Sequence, residues 1–106
     1  MAYETVIFDV QDGIGLLTLN RPKAFNAFND QMLDDLSDVI EKVRNDSSLR
    51  VLVLKGAGEK AFVAGADVGE FQGKNSLQAR MWIEKGQEIF FRLEALPIPI
   101  IACVNG

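Results

Sequence analysis

The first twenty residues have the pattern of two short strands joined by a tight turn. Val6–Val10 and Ile14–Leu19 are rich in apolar and β-branched residues, and Gln11-Asp12-Gly13 separates them. An Asp-Gly pair between two such runs predicts a β-hairpin, because glycine adopts the positive φ of a tight turn at no steric cost. Pro22 marks the end of the second strand, since proline cannot donate to a strand ladder.

Apolar residues at helical spacing predict a first helix that begins after Asn29, a potential N-cap. Early aspartates suit the positive N-terminal end of the helix dipole. We expect the helix to end between Asn45 and Ser48. Its predicted apolar stripe consists of Met32, Leu33, Leu36, Val39, Ile40 and Val43. The acidic residues assigned to its remaining, polar faces are Asp30, Asp34, Asp35, Asp38 and Glu41.

A second long helix is predicted from Asn75 or Ser76 up to Pro97, which stops it. Its apolar residues form one broad stripe. The stripe consists of Ala79, Trp82, Ile83, Ile89, Phe90, Leu93 and Leu96.

Two further segments are continuously apolar rather than alternating, namely Val51–Leu54 and Ile98–Val104. Such runs favour strands that are covered on both faces, so we expect the thiol of Cys103 to be buried and structural. The order strand, helix, strand predicts a right-handed parallel crossover.

The last strand is followed at once by the end of the chain, and the apolar surface exceeds what a small domain would cover. We therefore expect residues 1–106 to be one portion of a larger domain.

Composition narrows the classes of protein. The chain has 106 residues, 48% hydrophobic and 25% charged, which is typical of one globular domain. The net charge of −4 argues against nucleic-acid binding. No apolar run reaches the ~18–20 residues of a membrane span, and no secretory signal is visible, so we expect a cytoplasmic protein. With one cysteine and no histidine, a disulfide scaffold, histidine-based nucleophilic catalysis and the commonest zinc sites are excluded, and we expect no metal site.

Three segments could carry chemistry. Ala64, Gly65 and Ala66 are small residues followed by Asp67, a pattern that could open a helix and expose a backbone N–H as an oxyanion donor. A plain Ala/Gly packing turn fits the same residues. Gly56–Ala61 has G-x-G-x-x-A spacing after a strand, but the apolar stretch that follows lacks the helix of a dinucleotide site. Lys23 and Lys55 could each bind an anion, or could simply be solvated.

Three motifs, in order along the chain, resemble the crotonase superfamily, the enoyl-CoA hydratase/isomerase family. Leu19–Ala27 (LNRPKAFNA) is similar to the loop after the family's second strand. Phe62–Val68 (FVAGADV) resembles its first oxyanion-hole segment. Ile98–Gly106 (IPIIACVNG) resembles the strand that leads to its second oxyanion-hole segment. Three linked motifs are more specific than any one of them, and they favour the oxyanion interpretation of Ala66 over the packing turn.

The resemblance implies an α/β fold, the N-terminal part of a crotonase-like spiral of repeated ββα units, and an acyl-CoA thioester as substrate rather than a separate cofactor. It implies that the backbone N–H of Ala66 is the first oxyanion donor. Gly69 stands where hydratases often have lysine. The CoA-binding residues that it implies are Lys23, Ala24, Phe25, Ala27, Ala64, Gly65, Ala66, Asp67, Val68 and Gly69.

In the family pattern the second donor and both catalytic glutamates follow Gly106, so we expect this chain to be inactive alone. Hydration of 2-enoyl-CoA is the favoured reaction, although isomerisation, thioester hydrolysis and C–C cleavage share this half of the family pattern. The resemblance implies a trimer or a pair of trimers for the whole protein, and we expect this chain to form a homo-oligomer, as a dimer or by exchange of elements. Two alternatives stay open, a non-catalytic acyl-CoA-binding or oligomerisation module and a nucleotide site at Gly56 and Gly58.

Overall fold

The computed structural model describes residues 3–58 and 68–104 of the chain. In chain order the strands and α-helices are β1 (Val6–Gln11), β2 (Ile14–Leu19), α1 (Asp30–Arg44), β3 (Val51–Gly56), α2 (Ser76–Glu94) and β4 (Ile100–Cys103). Short 3₁₀ helices span Pro22–Ala24 and Val68–Phe71. The four strands form one sheet in the order β1-β2-β3-β4. No helix within the two described ranges is long and apolar enough to cross a membrane.

The predicted hairpin is confirmed. β1 and β2 pair antiparallel, and Gln11 lies opposite Ile14, which leaves Asp12 and Gly13 as a two-residue turn. Their φ angles are 53° and 80°. Two consecutive positive φ values characterise the type I′ turn, whose twist matches that of the flanking strands. The Asp-Gly pair thus sets the register of the hairpin.

Helix α1 confirms the first predicted apolar stripe. The side chain of Asn29 accepts a hydrogen bond from the backbone N–H of Met32 and caps the helix N-terminus. All six stripe residues are buried in the hydrophobic core. β2, α1 and β3 form a crossover in which the two strands pair in parallel, as predicted. β1, β2 and α1 therefore make one complete ββα unit.

One acidic residue of α1 does not lie on a polar face, contrary to the prediction. Asp35 is 6% exposed, and its carboxylate accepts hydrogen bonds from the backbone N–H and the hydroxyl of Thr5, at 3.0 and 2.6 Å. Its second oxygen accepts from Nε2 of Gln31 at 2.8 Å. A buried polar group is tolerated where hydrogen bonds replace water. Thr5, just before β1, supplies two of those bonds, and a helical pattern alone does not reveal them.

Helix α2 begins where predicted but buries less of its stripe. Asn75 and Gln78 form a reciprocal capping box, with hydrogen bonds of 2.8 and 3.0 Å. Within the helix only Trp82 and Ile89 are buried, whereas Ile83 is 45% exposed. The helix ends at Glu94 rather than at Pro97. An apolar cavity of about 260 Å³ lies among α1, the C-terminal half of α2 and the sheet. The cavity is lined by Leu19, Phe28, Leu36, Ile40, Leu54, Ile89, Phe90, Leu93 and Ala102.

The strands predicted to be covered on both faces are covered on one. β3 alternates, because Leu52 and Leu54 are buried while Lys55 is exposed. β4 lies at the edge of the sheet, where residues Ile101–Cys103 are exposed. The prediction of a buried Cys103 is therefore wrong for the described structure. Both helices pack on the same face of the sheet, so the described residues provide no second layer for the opposite face.

Candidate functional site

The candidate site is built on a tightly folded loop between β2 and α1, the Pro22–Ala27 loop. Pro22 opens a 3₁₀ turn, and Phe25 and Asn26 follow it with φ angles of 53° and 59°. The backbone N–H groups of Ala24 and Asn26 both donate to the carbonyl of Arg21, at 2.9 and 2.8 Å. These bonds reverse the chain direction and leave the side chain of Phe25 48% exposed. Lys23 is also exposed, whereas Ala27 is buried.

A second loop lies directly beside the first. It follows β3, and the backbone N–H of Ala57 donates to the carbonyl of Leu19 at 2.7 Å. Gly58 has a φ angle of +82°, and a Cβ at this position would lie 3.4 Å from Cβ of Pro22. Parallel strands end at the same edge of a sheet, so the parallel pairing of β2 and β3 brings the two loops together.

Asn26 connects these two loops. Its side chain is fully buried, although Phe25 before it is exposed. Oδ1 accepts a hydrogen bond from the backbone N–H of Arg21 at 2.8 Å, and Nδ2 donates to the carbonyl of Ala57 at 3.1 Å. One amide side chain thus joins the start of the Pro22–Ala27 loop to the loop after β3.

The 3₁₀ helix Val68–Phe71 is fixed to the N-terminus of α1. Oε1 of Glu70 accepts a hydrogen bond from the backbone N–H of Asp30 at 2.8 Å. The first N–H groups of a helix have no partner within the helix, so this carboxylate satisfies one of them. Nζ of Lys74 donates to the carbonyl of Glu70 and lies 3.5 Å from its Oε2. The segment that follows Asp67 is therefore held beside the helix that follows the Pro22–Ala27 loop.

Charged side chains also join α2 to the same end of α1. Nζ of Lys85 lies 2.8 Å from Oδ1 of Asp30 and 2.7 Å from Oδ1 of Asp34. Partial burial of Lys85 opposes its charge, but the hydrogen bonds to Asp30 and Asp34 outweigh that effect and raise the pKa of the ammonium group.

The described part of the chain holds no group of three or more His, Cys, Asp or Glu residues placed to bind a metal ion.

Six of the predicted site residues lie within the described part of the chain, and four lie outside it. The Pro22–Ala27 loop holds Lys23, Ala24, Phe25 and Ala27, and the second 3₁₀ helix begins with Val68 and Gly69. Ala64, Gly65, Ala66 and Asp67 lie outside the described residues, so the oxyanion donor at Ala66 stays a prediction. The helix Val68–Phe71 begins two residues after Ala66.

The nucleotide-site alternative gains no support from the described structure. A dinucleotide site needs a long helix that starts directly at the glycine turn. The residues directly after Gly58, where such a helix would begin, lie outside the described residues, so this alternative stays a prediction.

Two residues that organise the site are not predicted as positioning groups by the sequence pattern. For Asn26 the residue type itself is a hint, because asparagine is one of the few residues that tolerate a left-handed conformation in a turn. Glu70 has none, since its partner Asp30 lies 40 residues away in the chain.

Comparisons of the sequence with a family model and with known proteins point to the same family. Residues 9–106 match the sequence model described as Enoyl-CoA hydratase/isomerase. The chain is 40% identical over 106 residues to a crotonyl-CoA hydratase of Syntrophomonas wolfei and 42% identical over 106 residues to a short-chain-enoyl-CoA hydratase of Clostridium acetobutylicum. Each alignment covers 100% of this chain and 41% of the relative.

A solved structure agrees with these sequence relatives. The enoyl-CoA hydratase of Bacillus anthracis superimposes with a TM-score of 0.93 at 33% identity. That superposition covers 97% of this chain and 40% of the Bacillus anthracis chain. The chain therefore spans about two fifths of the length of the relatives that it matches.

Proposed function

Because this chain belongs to the enoyl-CoA hydratase/isomerase family and has the fold of part of a crotonase-like domain, we propose that it carries one part of an acyl-CoA thioester site. The observation that supports the proposal is the side-by-side arrangement of the Pro22–Ala27 loop and the loop after β3 at one edge of the sheet. The CoA portion of the substrate lies along this edge.

The exposed residues of the Pro22–Ala27 loop suit the chemistry of CoA. CoA carries several phosphate charges, and the exposed ammonium group of Lys23 attracts them. The half-exposed ring of Phe25 offers a flat apolar surface on which an adenine base can stack. Ala24 lets the ligand approach the backbone closely. The remaining contacts come from the segment that holds Ala64, Gly65, Asp67, Val68 and Gly69.

The proposed chemical contribution of the chain is one backbone donor. The N–H of Ala66 donates to the thioester carbonyl and stabilises the enolate-like negative charge that develops on its oxygen. This polarisation makes the double bond of a 2-enoyl-CoA open to attack by water. We propose that the whole protein hydrates such a substrate, while residues 1–106 alone bind CoA without turnover.

Calorimetric titration of the 106-residue chain with CoA tests the binding site. Lys23→Ala should weaken binding severalfold, because it removes a positive charge next to the phosphates. Arg44→Ala is the matched control, since it removes the same charge from the exposed C-terminal end of α1. If both variants weaken CoA binding equally, Lys23 acts only through the net charge of the chain and not through a local contact. If the parent chain does not bind CoA, the proposed site is contradicted.

A variant of the whole protein tests the proposed donor. Ala66→Pro removes the backbone N–H, and loss of one oxyanion donor costs roughly 10²–10³ in rate. Activity within a few-fold of the parent would refute the assignment of Ala66. A hydratase assay on residues 1–106 completes the test, because turnover near that of a full-length hydratase would contradict the inactivity of the chain alone.

A second candidate function, a non-catalytic module that self-associates, draws on exposed apolar residues. Ile101 and Val104 are 54% and 75% exposed at the edge strand, and Phe91 on α2 is 71% exposed. Exposed apolar surface and an open strand edge both favour association. We propose that the isolated chain forms a homo-oligomer through the Ile98–Val104 end. Light scattering across a dilution series tests this, and a monomer at every concentration would overturn it.

A further inference from the structure

The buried side chain of Asn26 does not face solvent, yet it belongs to the loop proposed to bind CoA. We propose that Asn26 is a positioning residue, which holds the Pro22–Ala27 loop in its CoA-binding shape without contacting CoA. This inference rests on the proposed function, because it assigns Asn26 a role in that same site.

The first argument is the pair of hydrogen bonds that define the Asn26 bridge. Oδ1 accepts from the backbone N–H of Arg21 at 2.8 Å, and Nδ2 donates to the carbonyl of Ala57 at 3.1 Å. The bond to Arg21 closes the loop on itself, and the bond to Ala57 attaches it to a loop 31 residues away in the chain. The amide therefore both donates and accepts, and a side chain that only donates or only accepts cannot replace it.

The second argument is the backbone conformation that the bridge maintains. Phe25 and Asn26 are consecutive non-glycine residues with positive φ, at 53° and 59°. Left-handed conformations cost L-residues about 1–2 kcal/mol each, although asparagine tolerates them better than most. A strained turn persists only where its surroundings hold it. The Asn26 bridge supplies that restraint, and without it the turn relaxes and displaces Lys23 and Phe25.

The consequence for binding is preorganisation. A loop that is already in its bound shape loses less conformational entropy when a ligand binds. Phe25 directly precedes Asn26, and Lys23 lies in the 3₁₀ turn just before Phe25, so the directions of both side chains depend on the turn. Replacement of Asn26 should therefore lower CoA affinity, although the residue itself makes no contact with CoA.

The experiment compares three variants by CoA titration. Asn26→Gly keeps the positive φ but removes the bonds to Arg21 and Ala57, whereas Asn26→Asp keeps an acceptor for Arg21 and loses the donor to Ala57. Asn45→Gly is the control, because it makes the same chemical change at the exposed C-cap of α1. We expect Asn26→Asp to weaken CoA binding roughly tenfold, about the effect of one net hydrogen bond, Asn26→Gly to weaken it at least as much, and the control to bind like the parent.

Two further readouts separate positioning from a general loss of structure. Amide hydrogen exchange at Arg21 should become faster in Asn26→Gly, because its acceptor is gone. In Asn26→Asp, protonation of the new carboxyl supplies an O–H donor for the carbonyl of Ala57. Its affinity relative to the parent should therefore recover as the pH falls through the pKa of that carboxyl group, which burial raises and the Arg21 N–H and guanidinium lower. Damage to the fold as a whole would show no such recovery.

The outcomes separate this inference from the function on which it rests. If the parent chain binds CoA and Asn26→Gly binds equally well, the positioning role is overturned and the proposed site stands. If the parent chain does not bind CoA, the proposed site fails and the role of Asn26 in it fails as well. Unfolding of both Asn26 variants, seen by circular dichroism, would assign Asn26 to the fold as a whole and also overturn the inference.

Discussion

The buried carboxylate of Asp35 provides the sharpest test of how this chain is held together. It accepts three hydrogen bonds: two from Thr5, which join α1 to the start of β1, and one from Gln31 of the same helix. Asp35 and Thr5 are each only 6% exposed, so water does not readily replace the carboxylate. The change Asp35→Ala removes the acceptor and leaves the donors of Thr5 in a buried position.

The expected cost follows from the fate of each donor. The backbone N–H of Thr5 cannot turn to another partner, and a buried unsatisfied donor costs about 1–3 kcal/mol. The hydroxyl of Thr5 can rotate, so its lost bond adds about 1 kcal/mol. Gln31 is exposed and exchanges its bond for one to water. We expect Asp35→Ala to lower the free energy of unfolding by about 2–4 kcal/mol, a large share of the ~5–15 kcal/mol typical of a domain.

Urea denaturation measures this change, with Asp34→Ala as the matched control. Both variants replace aspartate by alanine on the same helix, so the gain in helix propensity cancels between them. The side chain of Asp34 is 55% exposed and pairs with Lys85, which also contacts Asp30. An exposed pair of this kind contributes about 0–1 kcal/mol.

A double-mutant cycle isolates the contact itself. Thr5→Val removes the hydroxyl and keeps the shape of the side chain, so it should cost about 1 kcal/mol in the parent and less in the Asp35→Ala background. Equal stabilities of Asp35→Ala and Asp34→Ala would refute the reasoning, because burial would then make no difference. Strictly additive effects of Thr5→Val and Asp35→Ala would show that the two side chains are not coupled.

Three further predictions concern single contacts. Glu70→Ala should destabilise the chain by about 1 kcal/mol, because the backbone N–H of Asp30 loses its acceptor. Hydrogen exchange of that N–H should become faster, and an unchanged exchange rate would contradict the capping role. Gly13→Ala should cost about 1–2 kcal/mol because its φ is +80°, and Gly13→Asn should cost less; equal melting temperatures of both variants and the parent would argue against the type I′ turn. The hydroxyl of Tyr3 donates to Asp38 at 2.5 Å and lowers the pKa of that carboxyl below its ordinary 3.8. This contribution is present above pH 3.8 and is lost as the pH falls through the lowered pKa, so the stability difference between parent and Tyr3→Phe should shrink in that acid range; a difference independent of pH would refute it.

Local chemistry is readable from the sequence wherever neighbours along the chain decide the conformation. Asp12 and Gly13 determine the turn that pairs β1 with β2. Asn29 and Asn75 cap their helices through residues three positions ahead. These interactions span only a few residues, so propensity and periodicity are sufficient to predict them. The three family motifs likewise lie within short segments, and their residues alone are sufficient to indicate the family.

Only the tertiary structure decided which positions are buried and which loops meet. Asp35 is buried with Thr5, 30 residues away, as its hydrogen-bond donor, and Cys103 is exposed because β4 lies at the sheet edge. An apolar pattern records which residues favour burial, but burial itself depends on which elements pack there. The Asn26 bridge and the Glu70 cap depend in the same way on partners 31 and 40 residues distant. Hydrogen bonds across such separations leave no periodic trace in a single sequence, because each requires the fold to bring its donor and acceptor together.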